Sequence, residues 1–431
     1  FDLNGKDYKV ITDFIEEIYI PSFIHTNIHP SYTVLPTQKN VLEAYKNVIA
    51  GLYKKRLVKK LEIVEDAIKY IKAGEDEALK VGLEKTYTGN YNFFNLIKNK
   101  KESELNRLKQ DYNKKKIESE NFLRNEFGKS GMFRSDTLYF ISPKVVSIEL
   151  NNIREDTINS IRDDYTVTDK ADGYSMMLIK FSKEDTRREE LHNRMFLIDS
   201  NLRVYDTGIN SPEGAEDAGT MLLNGEYLEH DNTKKKRLNK YGIFDCYIYD
   251  NKDVCEYPLM SNDDEETRLW FASKFFTEHY KIPNDINDTF SIFIKKFHMI
   301  NEGNNIFHCA NTIWSKYIAG EINPEIGSHY YLDGLIFTHA NYPVGFDHKK
   351  LDFNLRQNTG WESNLKWKPP EDNTIDFLVR FEKEDVVKQG NRVITKNKIK
   401  RIRRSAGADT TYDQYIVANL YNGDGGMHTQ H

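Results

Sequence analysis

Near residue 136 the chain changes its hydrophobic period, and that change decides what each part can fold into. Before it, Val41, Leu42, Tyr45, Val48, Ile49 and Leu52 mark one helical face. Leu57, Leu61, Val64, Ile68 and Ile71 continue it with the 4,3,4,3 spacing of a coiled coil. A turn-like Ala73-Gly74 and an aromatic patch (Tyr91, Phe93, Phe94) precede a polar run, Lys98 to Lys129, with ten basic and six acidic residues. Its sparse apolar positions predict a solvated helix packed on one side, with an RNA-tracking basic surface as the sharper alternative.

Beyond residue 136 the texture is strands and turns. Tyr165-Thr-Val-Thr alternates, Met176-Met-Leu-Ile-Lys-Phe181 forms an apolar run, and Arg194–Asp199 and Leu202–Asp206 flank a hairpin turn at Ser200-Asn201. Further strands are expected at Met221–Leu228, Tyr241–Tyr249, Ser291–Phe297, Tyr330–Thr338, Asn364–Lys368 and Thr374–Phe381. Two helices interrupt them, one after the acidic start Asn262-Asp-Asp-Glu-Glu and one over Asn305 to Ile318. The reading is α+β, with residues 1–135 mostly helical, 136–381 forming the mixed domain, and 382–431 a polar tail, basic around Lys396–Arg404.

Composition narrows the function. Lys and Arg number 61 against 66 Asp and Glu, a net charge of −5, so the overall field does not hold nucleic acid, although a local basic groove could. A chain with 39% hydrophobic residues is too apolar for disorder, and no apolar stretch is long enough to span a membrane. Cys246, Cys255 and Cys309 are too few for a disulfide framework and suit a reducing, cytoplasmic setting. The chain opens on Phe1 rather than Met and has no signal-like segment, as a piece of something longer would.

The chemistry gathers in five short segments. Thr168-Asp-Lys170-Ala-Asp172-Gly173 places an amine between two strands, before an Asp-Gly turn; alone, such a tetrapeptide is more often a surface turn. Leu223-Asn-Gly-Glu226 ends a strand on a carboxylate, Gly242-Ile-Phe244-Asp245 on an aromatic and an acid, and Leu332-Asp333-Gly-Leu-Ile-Phe337 bears another acid. Lys366 and Lys368 then share one face of a strand. Together they are what nucleotidyl transfer by a lysine needs. The amine of Lys170 must shed its proton, which neighbouring cations and a metal ion favour. Glu226 and Asp333 are oxygen ligands suited to a hard ion, Mg²⁺ or Mn²⁺. The lysines neutralise charge at an α-phosphate, and Phe244 is available to stack on a purine, with an ordinary core phenylalanine equally in keeping with the sequence.

These segments resemble motifs I, III, IIIa, IV and V of the covalent nucleotidyltransferases, the superfamily of polynucleotide ligases and mRNA capping guanylyltransferases. Lys366-Trp-Lys-Pro-Pro-Glu-Asp-Asn-Thr374-Ile-Asp-Phe377 is similar to the capping form of motif V, and Tyr165-x-Val-Thr-Asp-Lys-Ala-Asp-Gly to capping enzymes of large cytoplasmic DNA viruses and linear plasmids. The resemblance implies an antiparallel-sheet nucleotidyltransferase domain over 136–381 that moves GMP from GTP, through a lysyl-GMP, onto 5′-diphosphate RNA in a host cytoplasm or virion. It implies Lys170 as nucleophile, with Asp333, Lys366 and Lys368 beside it. Asp172, Gly173, Arg203, Glu226, Phe244 and Asp245 become nucleotide contacts, and Glu226 and Asp333 metal ligands. RNA polymerase or a capping-enzyme subunit is the implied partner. An ATP-dependent RNA or DNA ligase and a non-catalytic scaffold of the same fold are the alternatives.

Three departures stand out. Ser175 stands where relatives carry a ribose-contacting arginine, and Asn224-Gly-Glu replaces Asp-Gly-Glu. Residues 382–431 are too short for a whole OB-fold, so they are expected to be its start, a remnant or a linker. Within them Arg401-Ile-Arg-Arg404 reads as an exposed basic loop rather than a motif VI remnant. The Glu-x-Glu spacings at 75–77, 102–104 and 118–120 are read as surface acids, so residues 1–135 are at most a remnant of, or linker from, a triphosphatase. The Gly-rich end from Asn422 is too isolated to read as a methyl-donor loop.

Overall fold

The computed structural model describes residues 31–32, 35–87, 93–127, 140–262, 266–281, 290–300, 304–347, 352–353, 355, 360–370, 378–389, 392–406 and 409–421, without short gaps at 156, 158, 184–185, 187, 213, 216–217, 234–235 and 325–327. They form two compact units, residues 1–368 and 369–431. Asn373 to Phe377 of the expected motif V and the Gly-rich end lie outside the described residues.

The helices of the first unit are α1 (Leu35–Lys72), α2 (Glu77–Thr86), α3 (Phe93–Ile97), α4 (Glu102–Phe127), α5 (Arg268–Glu278) and α6 (Ile306–Ile318). Pro36 sits in the first turn of α1, where its missing N–H costs no bond. Gly74, at a φ of 57°, ends that helix, and Asp76 caps α2 by accepting from the Leu79 N–H at 3.1 Å. Asp76, Glu77, Glu102 and Glu104 therefore serve a cap and two exposed first turns, as surface acids do.

Helix α1 serves two cores. Val41, Tyr45, Val48 and Leu52 pack with Met177, Ile179, Phe196 and Ile198, whereas Leu57, Leu61 and Val64 pack with Phe94, Leu105 and Tyr112. The coiled-coil spacing is thus a real seam against α4, and the polar run is a helix with one buried side. At the junction Arg56 grips Asp253 twice, Nε donating at 2.7 Å and Nη2 at 3.0 Å.

The strands before α5 are β1 (Ser31–Tyr32), β2 (Lys144–Ser147), β3 (Tyr165–Ala171), β4 (Tyr174–Lys180), β5 (Arg194–Asp199), β6 (Val204–Asn210), β7 (Met221–His230), β8 (Arg237–Tyr249) and β9 (Lys252–Asp253). Those after it are β10 (Ser291–Ile294), β11 (His298–Met299), β12 (Leu332–His339), β13 (Phe346–Asp347), β14 (Asp352–Phe353) and β15 (Gly360–Trp367). A large sheet runs β1-β6-β5-β4-β7-β8-β10 with β9 on β8, and a small one runs β11-β3-β12-β15-β2.

The sheets are mixed rather than wholly antiparallel. Strand β10 lies parallel to β8 and β2 parallel to β15. For β10 the cause is α5, the crossover a parallel neighbour requires. The large sheet is covered on both faces, by α1 over Met177 and Ile179 and by Phe271 and Phe275 of α5 over Met176 and Leu178. This is why residues 176–179 are apolar without alternation, and the buried Lys180 that follows donates to the Ala218 carbonyl at 2.8 Å. The small sheet is covered on one face, where Val167, Leu335, Phe337 and Leu365 meet Ile306 and Cys309 of α6.

Several strand boundaries differ from expectation, β8 starting at Arg237, β12 at Leu332 and β15 at Gly360, and two have a visible cause. The β5–β6 turn is held by the Asp199 carboxylate, which accepts from the Asn201 and Arg203 N–H groups, and Leu202 adopts a φ of 61°, so β6 starts at Val204. Ser291–Phe297 is not one strand: it breaks after Ile294 and the chain passes from the large sheet to the small one. All three cysteines are buried and unbridged.

The second unit is built from β16 (Leu378–Phe381), β17 (Lys383–Gln389), β18 (Arg392–Asn397), β19 (Ile399–Ala406), β20 (Asp409–Ile416) and β21 (Ala418–Tyr421), paired antiparallel as β16-β21, β17-β18 and β19-β20. Among the described residues these three ladders share no strand, and Arg401 to Arg404 lie in β19 rather than in the expected loop.

Candidate active site

Strand β3 is interior to the small sheet and β4 to the large one, so the turn between them bridges the sheets. Lys170 stands at the end of β3. Asp172 is exposed, and its N–H donates to the Tyr331 carbonyl at 3.0 Å. Gly173 is needed for contact: a Cβ there would lie 2.7 Å from both the Tyr227 carbonyl oxygen and the Glu226 side chain. The missing side chain lets the turn press against Glu226.

The predicted charges converge on Asp333. Lys170 donates to its Oδ2, and Lys368 to its Oδ1 at 2.7 Å. Gly334 makes this possible. Its φ is 124°, and a Cβ would come within 1.9 Å of the Trp367 carbonyl oxygen. That close approach of β12 to β15, beside a register shift between Leu332 and Leu335 in the pairing of β12 with β3, puts Asp333 between the two lysines. Burial pushes the Asp333 carboxyl up, but hydrogen bonds and charge from Lys170 and Lys368 outweigh it and hold it below the usual carboxylate range.

Glu226 behaves oppositely. Its side chain is 17% exposed, and burial raises its pKa against the pull of Lys295 and Lys170. Lys295 was missed by the sequence reading. It sits where the chain crosses between the sheets, donates to the Asp169 carbonyl at 2.7 Å, and lies 3.3 Å from the Asp169 carboxylate and 3.7 Å from that of Glu226. Its one signal was a lysine inside the apolar run expected as a single strand over 291–297.

A cavity of about 270 Å³ opens between the sheets, walled by Lys170, Ser175, Asn224, Glu226, Phe244, Lys295, Ile336 and Asn364 among others. Phe244 is half-buried in this wall, as a stacking aromatic would be. Lys366 pairs with Ile336 across β12 and β15, so strand alternation puts it on the cavity face, two residues from Asn364.

Two expected contacts have other duties. Asp245 touches the cavity, but its Oδ1 accepts from Arg268 Nε at 2.7 Å in a fully buried pair, and Arg268 also donates to the Tyr257 and Tyr342 carbonyls. Burial keeps its pKa raised despite Arg268. Arg203 stays in the β5–β6 turn, donating to Asp199 at 2.7 Å, and is not a wall residue. The Asn224 departure also has a reason: its amide donates to Ser142 at 2.9 Å and to the Tyr247 hydroxyl at 3.0 Å, which a carboxylate could not do.

Among the described residues no three His, Cys, Asp or Glu side chains cluster to cage a metal ion. The donors present are the oxygens of Glu226 and Asp333, which fit a hard ion that takes its other ligands from a substrate. No described helix is long and apolar enough to cross a membrane.

No protein-family model matches the chain. Over 280 residues it is 27% identical to a "Probable mRNA-capping enzyme" of Acanthamoeba polyphaga mimivirus, covering 56% of this chain and 21% of that protein. Over 262 residues it is 28% identical to the "mRNA-capping enzyme subunit alpha" of Kluyveromyces lactis, covering 56% of this chain and 47% of that one. The chain thus spans about a fifth and about half of these relatives. Two solved structures, "Pmar-Lig_Pre." and "Pmar-Lig_PreS3", align at TM-scores of 0.31 and 0.29 with 12% identity, each over 72% of this chain and 61% of theirs. The likeness to mRNA-capping enzymes read from the motifs holds in whole-sequence comparison.

Proposed function

We propose that this chain is the guanylyltransferase of a viral-type mRNA-capping enzyme. In the first step the neutral Lys170 amine attacks the α-phosphorus of GTP. An N–P bond forms, the bridging P–O bond to the β-phosphate breaks, and pyrophosphate leaves. In the second step a terminal oxygen of 5′-diphosphate RNA attacks the same phosphorus. The N–P bond breaks, and Lys170 leaves as an amine that takes up a proton.

The observation that carries this reading is one carboxylate, Asp333, shared by Lys368 and by Lys170, which with Phe244 lines the cavity. Asp333 holds the nucleophile in place. Its lowered pKa makes it a poor final proton acceptor, so the proton Lys170 sheds goes on to phosphate or solvent. Lys368 and Lys366 neutralise the α-phosphate, Lys295 braces Glu226 from behind, and Phe244 stacks on guanine. Mg²⁺ or Mn²⁺ held by Glu226 or Asp333, with substrate phosphates, would supply further neutralisation of the phosphoryl charge.

A further capping-enzyme subunit or RNA polymerase is the proposed partner, the Kluyveromyces lactis relative being named as a subunit. The test is incubation with α-labelled GTP or ATP, followed by intact mass and mapping of the labelled residue. A GMP adduct on Lys170, absent in Lys170→Ala, is expected. An adduct with ATP alone would assign the chain to the ligases, and no adduct with either nucleotide overturns the proposal.

A further inference from the structure

The backbone ladder is interrupted on both sides of β3 where the nucleophile stands. On one side β12 pairs Leu335 with Asp169 and Leu332 with Ala171, so Asp333 and Gly334 together bulge opposite Lys170. On the other, β11 reaches only Val167 and Thr166. Strand pairing alone therefore leaves Lys170 loosely fixed, although an attacking amine must be held in line with the bond it breaks.

Side chains supply what the ladder omits. The Lys295 ammonium donates to the Asp169 carbonyl at 2.7 Å, and the Thr168 hydroxyl to the Lys296 carbonyl at 2.7 Å. The Tyr330 hydroxyl donates to Asp169 Oδ2 at 2.8 Å and accepts from the Asn323 amide at 3.2 Å, while Lys295 lies 3.3 Å from that same Oδ2. Lys295 and Tyr330 are both buried. The segment that carries Tyr330 grips β3 repeatedly: Tyr331 accepts from the Asp172 N–H at 3.0 Å, Leu332 pairs with Ala171, and Asp333 accepts from Lys170.

We propose that Tyr330 and Lys295 clamp Asp169 so that its neighbour Lys170 is presented to the α-phosphorus, which makes Asp169 and Tyr330 positioning residues. This rests on the guanylyltransferase reading and adds what holds its nucleophile still. Asp169 has the strand parity of Val167, which packs beneath α6, whereas Lys170 has that of the cavity-lining Thr168. Neither Asp169 nor Tyr330 lines the cavity, so both act through Lys170 and not on the nucleotide. Hydrogen bonds into an ionised carboxylate are among the stronger ones, and such a clamp resists the displacements of about 1 Å that cost up to about a hundredfold in rate.

The test uses Tyr330→Phe in the full chain, which keeps the ring in its core and removes one donor. Single-turnover labelling with α-labelled GTP should show the rate constant of lysyl-GMP formation at saturating GTP lowered about tenfold. The GTP concentration for half-maximal rate and the final fraction of protein labelled should not change. Return of the GMP to pyrophosphate should slow by a similar factor, because the same N–P bond is broken. Asp169→Ala should lose at least as much, with the double variant no worse than Asp169→Ala alone, as expected of residues that act as one unit. An unchanged rate constant in Tyr330→Phe, or a change confined to the GTP dependence or to the labelled fraction, overturns the clamp. Absence of any GMP adduct in the unmodified protein would instead overturn the guanylyltransferase reading beneath it.

Discussion

Lys170 and Lys368 share one carboxylate, donating to opposite oxygens of Asp333. A neutral isostere keeps the shape and removes the charge that holds both ammonium groups. Asp333→Asn is therefore expected to lower lysyl-GMP formation by about a hundredfold with little change in GTP affinity. Single-turnover labelling against a GTP titration checks this, and loss of affinity alone would contradict it.

The same pair sets a pH dependence. The Asp333 carboxyl is held below its unfolded value, so its stabilisation is present above the unfolded pKa of about 4 and is lost as pH falls through the folded value. The difference in unfolding free energy between the unmodified protein and Asp333→Asn should be constant from pH 5 to 7, as order-of-magnitude bounds of about one unit above that pKa, and shrink in stronger acid. Denaturant titrations across that range read it directly.

Glu226 carries the opposite sign. Burial raises its pKa, so its contribution is full below the unfolded value and is lost as pH rises through the folded one. Above the folded value the ionised side chain is a cost, with Lys295 and Lys170 only offsetting it. Glu226→Gln is expected to raise the thermal midpoint near neutrality while lowering adduct formation at least about tenfold. A lower midpoint would show that its ion pair with Lys295 outweighs desolvation.

Arg268 and Asp245 form a buried pair behind the cavity wall. Arg268→Met strands the Asp245 carboxylate without a partner and should cost about 3–5 kcal/mol. Adding Asp245→Asn should recover part of the loss, so the double variant is less unstable than the single effects summed. Equilibrium unfolding of the three variants measures the coupling.

Gly334 offers a steric test. Replacement by Ala combines an unfavourable φ of 124° with a Cβ 1.9 Å from the Trp367 carbonyl oxygen. The expected cost is about 2–4 kcal/mol together with weakened adduct formation, because Asp333 moves with the strand. Full stability in Gly334→Ala would mean that β12 and β15 separate freely.

Much of this site was legible because its residues stand beside glycines, although Glu226 and Phe244 lie within strands rather than at the ends expected for them. Lys170, Glu226 and Asp333 are each marked by a Gly within three positions, and Gly173 and Gly334 prove to be places where backbones touch. The start of α6 was legible at its cap, Asn305, whereas α5 begins only at Arg268 behind the cap Thr267, beyond the acidic run from Asn262. Lys295 escaped because its role comes from a change of sheet within an apolar run, and local periodicity carries no record of which sheet a strand joins. Asp245 and Arg203 have protein partners that the sequence did not show, for a related reason. A carboxylate near a cavity looks alike in sequence whether it faces a nucleotide or a buried arginine 23 residues further along the chain.

At about 1.5 Å per residue, the 38 residues of α1 make a rod some 57 Å long. One end is seated in the sheet that carries Phe244, and the other in the α3–α4 bundle. The two-pronged grip of Arg56 on Asp253 lies near its middle and resists both sliding and rolling. The rod is therefore a lever with a fulcrum. A load on the bundle end is carried along one continuous helix to the sheet that holds Phe244.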